Sequence, residues 1–540
     1  MGIRDLLFIG LVLGGGAAVS VNLFPPGPGP KAVSALSARV GAASPVLAEV
    51  PPIVTEVNRE FRREWAERAV VPAARAPELA ILRRLSLALT GTVPSLEEIR
   101  RFEARPEAGR LSAWLNEALV DRRFTDYFAE RLARSYVGTE GGPFIVYRRS
   151  RLVSWLSDEL MANRPHDRIV RELIASDGLW TDHPATNFIT VTYDQEKKLP
   201  DPERLAARVA RAFLGARLDC AQCHDHPFQP WKQRDFQGLA AFFGPTRSGF
   251  TGIHDGTDTY KMIDRKTNKP VPVEPRVPFA ADLLPSEGTP RKRLAAWVTD
   301  PKNPNFSRAT VNRVWALLFG KPLVEPVDDL AGAEALPIVL KRLAGDFAAH
   351  GYDLQRLVRA IAATEAFQLD SGSDPEPTEA AESAWAVFPL TRLRPEQIAG
   401  GLIQSSSLPT VDRDSHIFVR IMRSAGENDF VRRYGDMGID EFESGCGTIP
   451  QRLLMMNGKL LTEKIKESPF NAGTQIGMLA PDDRAAVEIA YLTILTRRPT
   501  PEESAHFEAR LRGTKSDERN RAMSDLCWTL LNSTEFSWDH

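Results

Sequence analysis

Residues 201–231 read DPERLAARVARAFLGARLDCAQCHDHPFQPW, which joins the plainest helix signal in the chain to its most distinctive chemistry. Asp201 is a capping residue and Pro202 fits the first helical position. Leu205, Val209, Ala212 and Ala216 recur on one face, so the pattern predicts a helix over 201–216. Cys220, Cys223 and His224 follow it as C-x-x-C-H, with His226 two residues on, before Pro227. A helix entering the motif, rather than a strand, argues against a thioredoxin-like redox site.

The same helical period extends outward on both sides. Leucines 79, 82, 85, 87 and 89 stripe the segment before Gly91, and Ser95 with Glu98 forms a capping box. Stretches 124–137, 152–161, 231–243, 291–298, 309–319, 336–349 and 353–367 read as amphipathic or apolar helices. So do 394–403, 451–464, 482–495 and 501–511, the last opened by Thr500-Pro501-Glu502-Glu503. Only 260–279 changes character: a Lys-Thr-Asn-Lys-Pro turn between β-branched runs predicts a small hairpin or extended insertion. The expected fold is mainly α and multi-helical, in two to three helical units.

The expected organisation is a leader at 1–24, a Pro/Ala-rich tether at 25–74 and a helical domain at 75–245 carrying the motif. A linker or hairpin follows at 246–290, then a second helical domain at 291–540 with an acidic linker at 370–383. In the leader, Arg4 precedes an uncharged run from Leu6 to Val21, with Ala18 and Ser20 spaced like a peptidase site. It reads as a signal peptide or an N-terminal membrane anchor, so the expected location is the cell envelope or beyond. Membrane contact is then expected only through this segment.

The 540 residues carry 68 Lys+Arg against 70 Asp+Glu, a net charge of −2. Such a balance gives no global attraction to nucleic acid. Four cysteines exclude a disulfide-stapled mini-fold. Walker, G-x-S-x-G and H-E-x-x-H motifs are absent from the sequence, so neither P-loop phosphoryl transfer nor zincin proteolysis has support.

C-x-x-C-H is the pattern of c-type haem attachment. Two thiols one helical turn apart reach two vinyl groups of one porphyrin, and the next histidine reaches the iron. Met262, Met422, Met437, Met455, Met456, His183 and His254 are available as a second axial ligand, and the sequence selects none. A second reading gives the same side chains zinc, with His226 as alternative ligand, because a residue before proline turns out of helix. A third makes Cys220 and Cys223 a disulfide or a structural corner. Asp328-Asp329 and Asp264 read as solvated turn carboxylates, and Cys446 as a partner for Cys527.

Longer motifs then make a family visible. Leu82-Arg83-Arg84-Leu85, Leu89-Thr90-Gly91, Trp180-Thr181-Asp182, Pro184-Ala185-Thr186-Asn187-Phe188, the 220–228 run, Trp231 and Asp235-Phe236 resemble the planctomycete cytochrome-like domain of unknown function. Asn303-Pro304-Asn305-Phe306, Val311-Asn312-Arg313-Val314-Trp315, Phe319-Gly320, Val327-Asp328-Asp329, Arg394-Pro395-Glu396-Gln397, Ile449-Pro450-Gln451 and the 531–536 run LNSTEF resemble the secreted planctomycete domain that follows it. The resemblance implies an exported cytochrome-like protein with no established reaction, and Cys220, Cys223 and His224 as the candidate haem site. The chain departs from the pattern twice. Gln229 stands where an Asp follows Pro-Phe, and Gly332-Ala333-Glu334-Ala335 replaces a Ser-His-Pro-Glu stretch. Longer relatives often carry a separate cytochrome c module, whereas this chain has a single C-x-x-C-H.

The leading expectation is c-type haem binding for electron transfer or redox chemistry, with an envelope redox or binding partner left unnamed. The alternative is a non-haem envelope interaction or scaffold protein whose Cys/His corner holds zinc or a disulfide.

Overall fold

A computed structural model describes residues 51–139, 147–263, 267–333, 335–372, 376–412, 430–431, 433–434, 442 and 448–540. The leader and the first half of the expected tether lie outside these residues. The second half of the tether is not a tether. Ile53–Glu67 is a helix whose Val57, Phe61 and Trp65 are buried, and Trp65 Nε1 donates to the Ala384 carbonyl at 2.8 Å. Its apolar spacing was hidden by the Pro/Ala-rich run before it and by the arginines and glutamates on its outer face.

The mainly α expectation holds. At the centre runs the helix Pro304–Phe319, capped by the Asn303 side chain accepting from the Asn305 N–H at 3.2 Å. Every residue from Ala309 to Phe319 is buried. A helix buried on all sides, its Thr310, Asn312 and Arg313 included, needs neighbours on every side. It receives Ile338–Ala349, Leu354–Ala362, Glu78–Thr90 and the turn Ala210–Leu214. Ile338–Ala349 in turn carries Ile53–Glu67, Arg122–Val137 packs on Arg149–Met161, and Pro290–Val298 packs on His166–Ala175.

Buried apolar residues fall into two cores that cut the chain differently from the expected domains. The first runs from Ile53 to Phe388, with Leu492 added, and joins the first expected helical unit to the opening part of the second. The second gathers residues 393–536 around the helices Ala472–Leu479, Asp483–Leu495 and Ser516–Leu531, with Leu87 and Val93 reaching in from the other side. Helix Glu78–Thr90 thus belongs to both. Its two central arginines, Arg83 and Arg84, are almost wholly buried. Arg84 lies 3.8 Å from the Phe388 ring centroid and donates to the carbonyls of Phe367 at 3.1 Å, Leu369 at 2.6 Å and His540 at 2.7 Å. Arg83 donates to Ile494 at 3.1 Å and Phe536 at 3.3 Å. The chain end is also zipped in, Thr391–Arg392 pairing antiparallel with Trp538–Asp539.

Both expected capping boxes form, at Ser95/Glu98 and Thr500/Glu503. The expected hairpin is Lys261–Ile263 against Pro270–Pro272, and Asp264 lies outside the described residues. A second hairpin, Thr246–Gly249 against Gly252–Asp255, carries no strand signal in its Gly-rich sequence. The acidic linker is structured in part: Glu379–Ser383 is a short helix, and the Asp370 N–H donates to the Ala74 carbonyl at 2.8 Å. The single helix expected at 451–464 is two, Ile449–Asn457 and Lys459–Ile465, broken at Gly458.

Candidate functional site

The helix leading to the motif starts as expected, with the Asp201 side chain accepting from the N–H groups of Glu203 at 2.9 Å and Arg204 at 3.1 Å. It does not run to 216. The regular helix is Pro202–Val209, and Ala210–Leu214 forms a wider turn that closes at Gly215, where φ is +57°. The motif therefore sits on its own turn rather than at the end of that helix. Asp219–Gln222 is a 3-10 turn, pinned by buried Leu218 and Ala221. Three residues make one such turn, so positions three apart stand one above the other. Cys220 lies within the turn and Cys223 ends it, and both side chains are exposed.

The two histidines are held in opposite senses. His224 Nδ1 lies 2.7 Å from the Asp225 carbonyl oxygen. A carbonyl only accepts, so Nδ1 carries the proton and the exposed Nε2 keeps its lone pair. His226 Nδ1 instead accepts from the backbone N–H groups of Phe228 at 3.2 Å and Gln229 at 3.0 Å. That puts the proton of neutral His226 on Nε2. His224 is thus poised as a ligand, while His226 organises the Pro-Phe-Gln turn. Among the described residues, no three His, Cys, Asp or Glu side chains converge on a point that could hold a metal ion.

A polar lattice fixes the motif from behind. Gln222 donates to Glu203 at 2.6 Å, and Gln233 donates to the carbonyls of Gln222 and Cys223, each at 3.2 Å. Gln237 donates to the Gln222 carbonyl at 3.2 Å, and the Tyr260 hydroxyl donates to Gln237 at 2.6 Å and also bonds Glu203. Burial and the neighbouring Glu203 push the Tyr260 hydroxyl well above its usual pKa, so it remains a donor. The Gln233 N–H and Lys232 hold the Asp225 carboxyl below its ordinary value. Phe228 stands 92% exposed on the same loop, while Trp231 is buried behind it.

Of the carboxylates read as solvated turn residues, Asp328 is enclosed, Asp329 is half-buried, and Asp264 lies outside the described residues. Asp328 is buried and paired with Arg217 at 2.7 Å, and Asp329 accepts from Gln229 Nε2 at 2.8 Å. A Cβ at Gly332 would lie 3.1 Å from that same Gln229 nitrogen. The two departures from the family pattern, far apart in sequence, therefore lie side by side. Sequence reasoning missed Arg211, Arg217, Gln229, Asp328 and Asp329 as parts of this site. The available signal was the Val-Asp-Asp run after a proline, matched only by two arginines just before the motif.

Of the other expected residues, Cys527 is buried, and burial pushes its thiol up to about 12. Cys446, Met422 and Met437 lie outside the described residues. Met455 is buried in the second core, and His254 Nδ1 donates to the Gly252 carbonyl at 3.2 Å.

Residues 56–248 match the family model described as a protein of unknown function, DUF1549 (PSCyt2), and residues 290–429 match that described as a protein of unknown function, DUF1553 (PSD1). The order is that of the two-domain planctomycete arrangement. No curated protein and no solved structure gives a match.

Proposed function

We propose that this chain of two planctomycete-type segments is an exported cytochrome-like protein that binds haem covalently through Cys220 and Cys223, with His224 on the iron. One observation carries the reading: His224 holds its Nδ1 proton on the Asp225 carbonyl at 2.7 Å, leaving Nε2 available on the residue that follows a turn with two exposed thiols. That tautomer is the one an iron ligand needs.

Each thiol adds its S–H across one vinyl double bond, so nothing is released and no further oxidant or reductant is consumed. Bound there, the haem supplies a one-electron store. The chain's own contribution is alignment. Gln222, Gln233 and Gln237 hold the turn, and Asp225 fixes the imidazole. Export agrees with the apolar run at Leu6–Val21 and with the chemistry, since thioether attachment belongs outside the cytoplasm. Among the described residues no helix is long and apolar enough to cross a membrane.

The test is a pyridine haemochrome spectrum and metal analysis on protein made in a host competent for c-type maturation. About one covalent haem per chain is expected, lost in C220A/C223A. A colourless protein that holds zinc, or whose Cys220 and Cys223 alkylate only after reduction, overturns the reading in favour of an envelope scaffold.

A further inference from the structure

We infer that Asp328 and Asp329 are positioning residues for the Cys220–His224 turn, so that the second matched segment completes the site carried by the first. The turn bearing them is itself anchored. Asn312, on the central helix, donates to the carbonyls of Val324 at 2.9 Å and Val327 at 3.3 Å, and accepts from the Val324 N–H at 3.0 Å. From this base the two aspartates reach both limbs of the motif loop.

On the entering limb, Asp328 Oδ1 takes Arg217 Nε at 2.8 Å and Nη2 at 2.7 Å, while Oδ2 takes Arg211 Nη1 at 3.4 Å. Arg211 passes the link on, its Nε donating at 2.8 Å to Asp219, the first residue of the 3-10 turn. The Leu330 N–H donates to the Gly215 carbonyl at 2.7 Å, where the preceding helix closes. On the leaving limb, Asp329 Oδ2 takes the Gln229 amide at 2.8 Å, and Gln229 Oε1 takes Trp231 Nε1 at 2.7 Å. Gln229 is thereby fixed at both ends. Its own N–H is one of the two that His226 accepts, so the clamp extends to the turn after His224.

The partition of exposure fits this role. The Asp328 side chain is 12% exposed, whereas both thiols and His224 face solvent. Charge-assisted bonds sheltered in this way keep more of their strength than surface pairs. The placement goes beyond the haem reading, because it concerns the alignment of the turn whatever the turn carries.

The experiment uses the full chain and the pair Gln229/Asp329. Q229E sets a second carboxylate against Asp329. Q229E/D329N restores one donor and one acceptor with the roles exchanged, and the introduced carboxylate still accepts from Trp231. D329A removes the bonds without repulsion. Hydrogen exchange is followed peptide by peptide, and iodoacetamide labelling of Cys220 and Cys223 is read by mass spectrometry. Exchange across 217–233 should rise at least tenfold in Q229E and D329A and return to within about twofold of wild type in the double variant. Labelling should follow, while exchange in the central helix stays constant. Unchanged exchange across 217–233 in both single variants, or a double variant as loose as Q229E, overturns the inference. Neither readout needs haem, so a colourless protein with a stiff, clamp-dependent loop would sink the functional reading and leave this one standing.

Discussion

At the residue scale, a hydrogen-bond partner decides what each histidine can do. His224→Ala should remove the iron ligand while leaving both thiols in place. His226→Ala should loosen the Phe228–Gln229 turn yet retain covalent haem at about one per chain. Haemochrome yield together with the low-temperature spectrum of each variant checks the contrast, and equal loss in both would show that the tautomer argument fails. A third histidine illustrates the opposite design. His166 is fully enclosed, stacked on Phe306 at 5.6 Å, and burial pushes it down to about 3 from an ordinary 6.5. The folded state then refuses a proton that the unfolded chain accepts. Stability is unaffected above pH 6.5 and is lost as pH falls from there towards 3, by up to about 4 kcal/mol. His166→Phe, which keeps the stack, should flatten that slope, as urea unfolding at pH 7 and pH 4.5 would measure.

Elements show which local signals speak and which stay silent. Caps with paired side chains, such as Ser95/Glu98 and Thr500/Glu503, were legible because four consecutive residues contain the whole interaction. The end of the helix before the motif was not. Leu205, Val209 and Ala212 keep a helical period through the wider turn at 210–214, so periodicity ran on to Ala216 while hydrogen bonding had already changed. Gly215 is the residue that stops it. Its φ of +57° disfavours any side chain, and a Cβ would meet Leu330 Cγ at 2.9 Å. Gly215→Ala should cost about 1–3 kcal/mol in chemical denaturation. It should also speed exchange at the Leu330 N–H, since that group is bonded to the Gly215 carbonyl. The motif was legible for the reason caps are: five residues hold it. Asp328 and Asp329 were not, because their partners Arg217 and Gln229 lie about 100 residues away. The proline-led Val-Asp-Asp run and the two arginines before the motif are visible in the sequence, but their pairing is not, and the Asp329 partner is a glutamine.

For the whole molecule, the decisive connection is the helix Glu78–Thr90, which gives side chains to both cores. Two cores sharing one helix, with buried guanidinium groups spanning the seam, should unfold together. We expect a single calorimetric transition rather than two. Removing residues 537–540 takes the His540 carbonyl from Arg84 and the strand partner from Thr391–Arg392. Arg84 keeps the Phe367 and Leu369 carbonyls, but both arginines lose the buried Asp539 carboxylate, and breaking a buried charge pair costs about 3–5 kcal/mol, so the shortened chain should melt markedly lower, still in one step. Two resolved transitions in the intact protein would show that the seam is weaker than its hydrogen bonds suggest. The expected scheme placed a linker or hairpin at 246–290, on the turn signal and β-branched runs of 260–279. Apart from Leu87, Val93 and Leu492, the cores divide near 388–393, shortly after the acidic linker.

The Arg84 bond to the His540 carbonyl also sets an order in time. The acceptor is joined to the growing chain 456 residues after the donor. Until then the two arginines lack part of the interior that encloses them. A chain threaded through a membrane from its N-terminus would carry Cys220 and Cys223 across well before that lock could shut.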